Sequence, residues 1–248
     1  MRRLALLLLL IPSLAWGAVL FSDTFNRADT SGTLEDASGK GWRDNTANAE
    51  ISGNHVQCKL TQACNAIGAL ASNITLGANG FTNGVVAAQT LMAETTATSS
   101  NTVGLTCRNQ GVGNGRSFYI GYWAGTGTVT NGGYRIDKYV AGAVTLLTTD
   151  AGNAGLNSSR LELSCVGNTM SLYSNGVLAQ TSVADTVYTS GAVGFYDPSQ
   201  TTGGAQMFDN FAVCDAVAEC DDFSRTGVAA ASAPPGGPSG KSLLGVGN

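Results

Sequence analysis

The sequence predicts an all-β fold: a two-sheet antiparallel β-sandwich of jelly-roll type with a flexible C-terminal tail. Three observations predict it. The chain carries 33 glycines and almost no helical periodicity, and glycine at that density works against long helices. Short runs rich in Val, Ile, Thr and aromatic residues recur with Gly/Asn turns between them. The chain also opens with Phe21, Asp23, Phe25 and Arg27 and closes with Phe208, Asp209, Asn210 and Phe211, two short aromatic segments around Asp that suit the pairing of a first strand with a last one.

The first 17 residues stand apart from the fold. Arg2 and Arg3 form a positive region, residues 4–14 are mostly apolar, and Ala15 and Gly17 place small residues at the −3 and −1 positions of a cut before Ala18. That is a secretory signal peptide, too short to span a bilayer, and it predicts a secreted, extracellular protein. The mature chain keeps 11 basic against 17 acidic residues, a net of −6. It has no electrostatic footprint for nucleic acid or anionic lipid, and no later apolar run is long enough for a membrane helix. Charged residues make up only 12% of the chain, about half the usual share, so solubility rests on Ser, Thr, Asn and exposed backbone.

The strands follow in order. After the opening segment come Val85–Leu91 and Val103–Arg108, then a turn-rich link to Arg116. Ser117–Trp123 alternates Phe118, Ile120 and Tyr122 against Tyr119, Gly121 and Trp123. Tyr134–Val140 alternates Tyr134, Ile136, Lys138 and Val140 against Arg135, Asp137 and Tyr139. Ala141 and Gly142 turn the chain into Val144–Thr149. Arg160–Val166 points Leu161, Leu163 and Cys165 inward. Thr169–Tyr173 returns, Asn175-Gly176 is a two-residue hairpin signal, and Val177–Val183 leaves it. Gly191–Tyr196 and Met207–Val213 complete the series. Residues 18–214 thus form one domain. Residues 215–248 read as linker, with Ala231 to Gly240 rich in Pro, Gly and Ser. Within that tail Asp221, Phe223 and Arg225 repeat the spacing of Asp23, Phe25 and Arg27, which marks either the start of a second module or a short coincidence.

Six cysteines in an exported chain permit disulfides. Cys58 with Cys64 and Cys214 with Cys220 each enclose five residues. Cys107 and Cys165 fall inside apolar strands, either paired with each other or packed as buried thiols.

The order of segments resembles the concanavalin A-like (laminin G-like) jelly-roll superfamily. Asp23-Thr-Phe-Asn-Arg27, Gly104-Leu-Thr-Cys-Arg-Asn109, Phe118-Tyr-Ile-Gly-Tyr122, Tyr134-Arg-Ile-Asp-Lys138, Leu172-Tyr-Ser-Asn-Gly176 and Phe208-Asp-Asn-Phe211 carry the likeness, across roughly residues 20–214. It is a pattern of strand types without a catalytic signature, so it speaks for fold more than for function. The superfamily often holds a structural calcium ion where first and last strands meet. The resemblance therefore implies a Ca2+ site at Asp23 and Asp209, with Asn26 and Asn210 nearby, unless the two carboxylates simply accept backbone hydrogen bonds.

Catalysis finds little support. Jelly-roll hydrolases of the laminarinase type carry Glu-x-Asp-x-x-Glu on one strand face, and this chain has no such segment. A pair drawn from distant strands, such as Asp137 with Glu162, would have to meet across one glycosidic bond. The single histidine, His55, has no Gly-x-Ser-x-Gly partner motif. Gly237 to Ser242 imitates a phosphate loop, but the position of its first glycine is Pro235. Sugar binding asks for flat aromatic faces with polar groups around them. Tyr119 and Trp123 share one strand face; Arg135, Asp137 and Tyr139 share another; Arg108 would stand at their rim. The reading expects Phe118, Ile120 and Tyr122 in the core and Tyr119 and Trp123 free for ligand. The function it favours is a non-catalytic glycan-binding or adhesive module that takes an extracellular carbohydrate or a protein partner. Behind it stand a structural module of a cell-surface or virion protein and a glycoside hydrolase with a non-standard carboxylate pair.

Overall fold

The computed structural model of the chain describes residues 19–29, 42–44, 49–58, 64–69, 81–92, 102–110, 117–124, 133–148, 151–152, 159–197 and 206–215. The expected signal peptide, residues 216–248 and the repeat of the opening motif lie outside them. Regular structure in the described residues is entirely β, so no helix there is long and apolar enough to cross a membrane.

Two eight-stranded antiparallel sheets form the domain. The first runs β14 (Val177–Thr181), β13 (Thr169–Ser174), β12 (Ser159–Val166), β6 (Gly84–Met92), β16 (Gln206–Asp215), β4 (His55–Cys58) and β3 (Ala49–Ser52), with β1 (Val19–Asp23) also paired to β16. The second runs β10 (Ala143–Leu146), β9 (Gly133–Val140), β8 (Phe118–Ala124), β7 (Thr102–Asn109), β15 (Ala192–Asp197), β5 (Cys64–Ala69) and β2 (Trp42–Asp44), with β11 (Ala151–Gly152) beside β9. The predicted strands are present within a few residues at each end. The short strands between Trp42 and Ala69 add four that the sequence pattern did not show.

Local chemistry explains the hairpins. Ala141 and Gly142 (φ 48° and 87°) close β9 onto β10, and Asn175 and Gly176 (φ 51° and 77°) close β13 onto β14. Both central residues of such a two-residue turn need positive φ, which matches the right-handed twist of the strands they join. The first and last strands pair as expected, with Phe21 opposite Val213 and Asp23 opposite Phe211.

The core lies between the sheets. Leu161, Leu163 and Cys165 of β12 meet Leu105, Cys107, Tyr119, Trp123 and Ile136 of the second sheet. An aromatic group of Phe25, Trp42, Phe195 and Phe211 fills the end near β1. Cys107 and Cys165 form a disulfide across the two layers, with Cα atoms 6.8 Å apart. This settles the choice between paired and free thiols for them, and it suits an oxidising compartment. Cys214 is disulfide-bonded as well. The side chains of Cys58, Cys64 and Cys220 lie outside the described residues.

Gly121 shows how tightly the layers meet. A Cβ there would come within 2.7 Å of Leu163 Cδ1 and 2.8 Å of Leu172 Cδ1, so the inner row of β8 alternates two large aromatics around a residue with no side chain.

Candidate ligand-binding face

The outer face of the second sheet is built in rows by strand register. Arg135 lies opposite Tyr122, Asp137 opposite Ile120, and Tyr139 opposite Phe118. On the far side of β8, Gly104 lies opposite Tyr122 and Thr106 opposite Ile120, and Tyr196 of β15 continues the first row. Cross-strand partners share a face, so all these residues point away from the inter-sheet core. Phe118, Ile120, Tyr122 and Tyr196 form a second, separate apolar cluster there, with Tyr139 packed against it. The Tyr139 ring stacks on Phe118 at 4.9 Å.

Polar groups converge at one end of this face. The Tyr122 hydroxyl donates to Asp137 Oδ2 at 2.7 Å. Arg135 contacts the same carboxylate at 3.4 Å and lies over the Tyr122 ring, 5.7 Å from its centroid. Burial pushes the Tyr122 phenol well above its ordinary value, and the Asp137 charge and hydrogen bond add to the effect. It therefore stays a neutral donor locked onto Asp137. The Asp137 side chain is 2% exposed and that of Arg135 16%, so Asp137 orients and Arg135 reaches solvent. Thr106, opposite Ile120, is fully buried, and its hydroxyl has no hydrogen-bond partner among the described residues.

Three of the six expected ligand residues thus share one face, and the other three do not. Tyr119 (0% exposed) and Trp123 (3%) belong to the inter-sheet core, which reverses the expected orientation of β8. Every residue of this strand is buried, so alternation alone could not say which row was inside. The Tyr119 hydroxyl donates to Asp185 Oδ1 at 2.5 Å and accepts from the Tyr188 N–H at 3.1 Å, while Lys138 Nζ binds the other Asp185 oxygen. Burial, with Asp185 second, pushes the Tyr119 phenol up to about 12.

Arg108 is no rim residue either. At 1% exposure its guanidinium donates to the carbonyls of Thr82 (2.8 and 3.0 Å), Gly167 (2.7 Å) and Tyr188 (3.1 Å). Burial pulls its pKa down, against the opposing influence of Tyr119. It is a clamp that ties three loops to a bulge in β7, where its own φ is 52°.

At the junction of first and last strands the Asp23 carboxylate is held by protein donors. Asp23 Oδ1 and Oδ2 take a bidentate pair from Arg27 at 2.8 and 3.0 Å, Trp42 Nε1 at 2.7 Å and the Phe25 N–H at 2.9 Å. The Asp-x-Phe-x-Arg spacing is therefore one physical unit. The carboxylate holds the turn at Phe25 (φ 50°) and the arginine neutralises it. Asp209 accepts from the Asn210 N–H at 2.7 Å. Burial raises its pKa, and the charge of Asp23 adds to that, while the Asn210 N–H and His55 oppose it. Asp23 thus meets an arginine, an indole and an amide, the hydrogen-bonded alternative to a cation that the sequence left open. Among the described residues no group of three or more His, Cys, Asp or Glu side chains is placed to hold a metal.

The carboxylates Asp137 and Glu162 stand on opposite outer faces. Leu161 and Leu163 point into the core, which turns Glu162 outward from the first sheet, where it pairs with Arg160 at 2.8 Å. With sheets packed about 10 Å apart and both groups pointing away from the gap, the two cannot flank one glycosidic bond.

No protein family and no curated protein matches the chain. Solved structures do. The CBM2 module of the evolved Dit protein of Lactobacillus casei BL23 phage J-1 superposes with a TM-score of 0.51 at 9% identity, over 80% of this chain and 96% of that one. The GH43 protein BlXynB from Bacillus licheniformis gives 0.50 at 11% identity over 78% of this chain, which spans only 38% of that one. The carbohydrate-binding module CBM66 from Bacillus subtilis gives 0.49 at 12% identity, over 71% and 92% of the two chains. At such identities the likeness is one of fold: this chain is a two-sheet antiparallel β-sandwich of jelly-roll type.

Proposed function

We propose that this is an exported carbohydrate-binding module that holds a glycan on the outer face of its second sheet. Arg135 and Tyr139 are the contact residues; Asp137 and Tyr122 position the first, and Phe118 and Tyr196 pack the second. The observation that carries the reading is the convergence on β8 and β9 of a part-exposed guanidinium, a part-exposed aromatic ring and a buried carboxylate that orients its neighbours. A sugar presents C–H surface to a ring and paired hydroxyls to a planar donor, and this face offers both. The modules of like fold, one of them a CBM2 module of a phage protein, support the reading without naming the sugar. The inter-sheet disulfide supports secretion.

A glycan array probed with the full secreted protein tests it. Saturable binding that falls at least tenfold in Arg135→Ala and Tyr139→Ala, with the melting temperature within a few degrees of wild type, is the expected result. A folded protein that binds no glycan would overturn the reading in favour of a structural module.

A further inference from the structure

We propose that the ligand of this face carries a methyl group, as a deoxy sugar or an N-acetyl sugar does, and that Val144 and Leu146 of β10 receive it. The inference rests on the glycan-binding reading and adds a specificity to it. β10 is the edge strand of the second sheet, next to β9. Val144 lies opposite Tyr139, and Leu146 lies opposite Asp137. Both therefore share the outer face with the contact residues. Leu147, one position on, turns into the inter-sheet core, which fixes Leu146 on the outer side.

Val144 is 52% and Leu146 45% exposed. Two isolated exposed aliphatics would need no explanation. These two are i and i+2 on one strand, about 6.6 Å apart, each one strand spacing of about 4.8 Å from its β9 partner, Tyr139 or Asp137. They continue the aromatic surface sideways into an aliphatic shelf. The face is thus asymmetric across the strands: β9 carries Arg135, Asp137 and Tyr139 in order, and the aliphatic pair of β10 flanks Asp137 and Tyr139 on its edge side. The β10 side chains on it offer neither a donor nor an acceptor.

A sugar stacked on Tyr139 with hydroxyls toward Arg135 would lay the substituent on its β10 side on that shelf. A hydroxyl there would lose water and find no partner, which is costly. A methyl would gain burial, and one buried methyl-sized group corresponds to about fourfold in affinity.

The test is calorimetric titration of the full secreted protein with matched glycans. One pair differs by methyl in place of hydroxymethyl, the other by N-acetyl in place of hydroxyl. The expected result is a preference of about fourfold or more for the methyl-bearing member of at least one pair, falling below twofold in Val144→Ser/Leu146→Ser. Equal affinity within both pairs overturns this inference and leaves the glycan-binding reading standing. A preference that survives in the double variant overturns the assignment to Val144 and Leu146. Failure of every glycan to bind overturns both readings together.

Discussion

Replacing Cys107 and Cys165 together by alanine removes the one covalent tie between the two layers that the described residues contain. The bond joins positions 58 residues apart in sequence. Cross-linking a loop of that size removes about 14 cal/mol/K of chain entropy from the unfolded state, or about 4 kcal/mol at 25 °C. Both sulfurs are fully buried, so their loss also leaves under-filled space between β7 and β12 and adds to the cost. Urea unfolding measures it, with emission from the buried Trp42 and Trp123 as the probe and linear extrapolation to water. The double variant is expected to lose 2–5 kcal/mol, the range that removal of native disulfides spans. A loss below about 1 kcal/mol at an unchanged denaturant slope would refute the reasoning. So would peptide mapping that finds either cysteine as a free thiol or bonded elsewhere.

Further outcomes follow from the same geometry. Arg108→Met leaves three loop carbonyls without their donor and should cost at least 3 kcal/mol, at about 1 kcal/mol or more per orphaned group; a change under 1 kcal/mol in chemical denaturation would contradict the clamp. Tyr119→Ala and Trp123→Ala truncate core aromatics and should each cost about 3–5 kcal/mol, so any binding lost in them should track the unfolded fraction measured by circular dichroism. Asp185 is held below its ordinary pKa: burial alone would raise it, but the hydrogen bonds from Lys138 and Tyr119 outweigh burial. A depressed carboxylate stabilises fully above its unfolded value and loses that contribution as pH falls through its folded one. The stability gap between wild type and Asp185→Asn should therefore be widest near neutrality and close below about pH 4, and a gap that widens in acid would oppose this. Dialysis against EDTA should leave the melting temperature unchanged, because Arg27 already neutralises Asp23; a fall that added calcium reverses would show a cation at that junction.

Much of the fold was legible because strands announce themselves locally. Asn175-Gly176 and Ala141-Gly142 mark their hairpins, and Leu161, Leu163 and Cys165 mark an inner row with polar residues between them. The pairing of the two Asp-containing aromatic ends could also be read. What could not be read depends on contacts between distant segments. In β8 both faces are apolar, since one meets the other sheet and the other carries its own aromatic cluster. The choice between Tyr119 and Tyr122 as the outward residue was therefore undetermined. The inward Cys165 held a clue, because a bond to Cys107 turns Cys107 inward and its cross-strand partner Tyr119 with it. That inference needs the β7–β8 register across a glycine-rich link. Arg108 looked like a surface cation because its carbonyl partners lie 26, 59 and 80 residues away. Within the candidate site, Arg135, Asp137 and Tyr139 were found by alternation on β9. Tyr122 was missed because its row was assigned to the core, and Thr106 because no face was assigned to the strand that carries it.

Amide hydrogen exchange of the full-length protein, with and without the best glycan from the array, tests the central claim most directly. Placement of the ligand on the outer face of the second sheet predicts added protection concentrated in residues 118–124 and 133–146, with β12 and β13 on the opposite sheet unchanged. Protection confined to the first sheet or to the loops at the ends of the sandwich would contradict that placement.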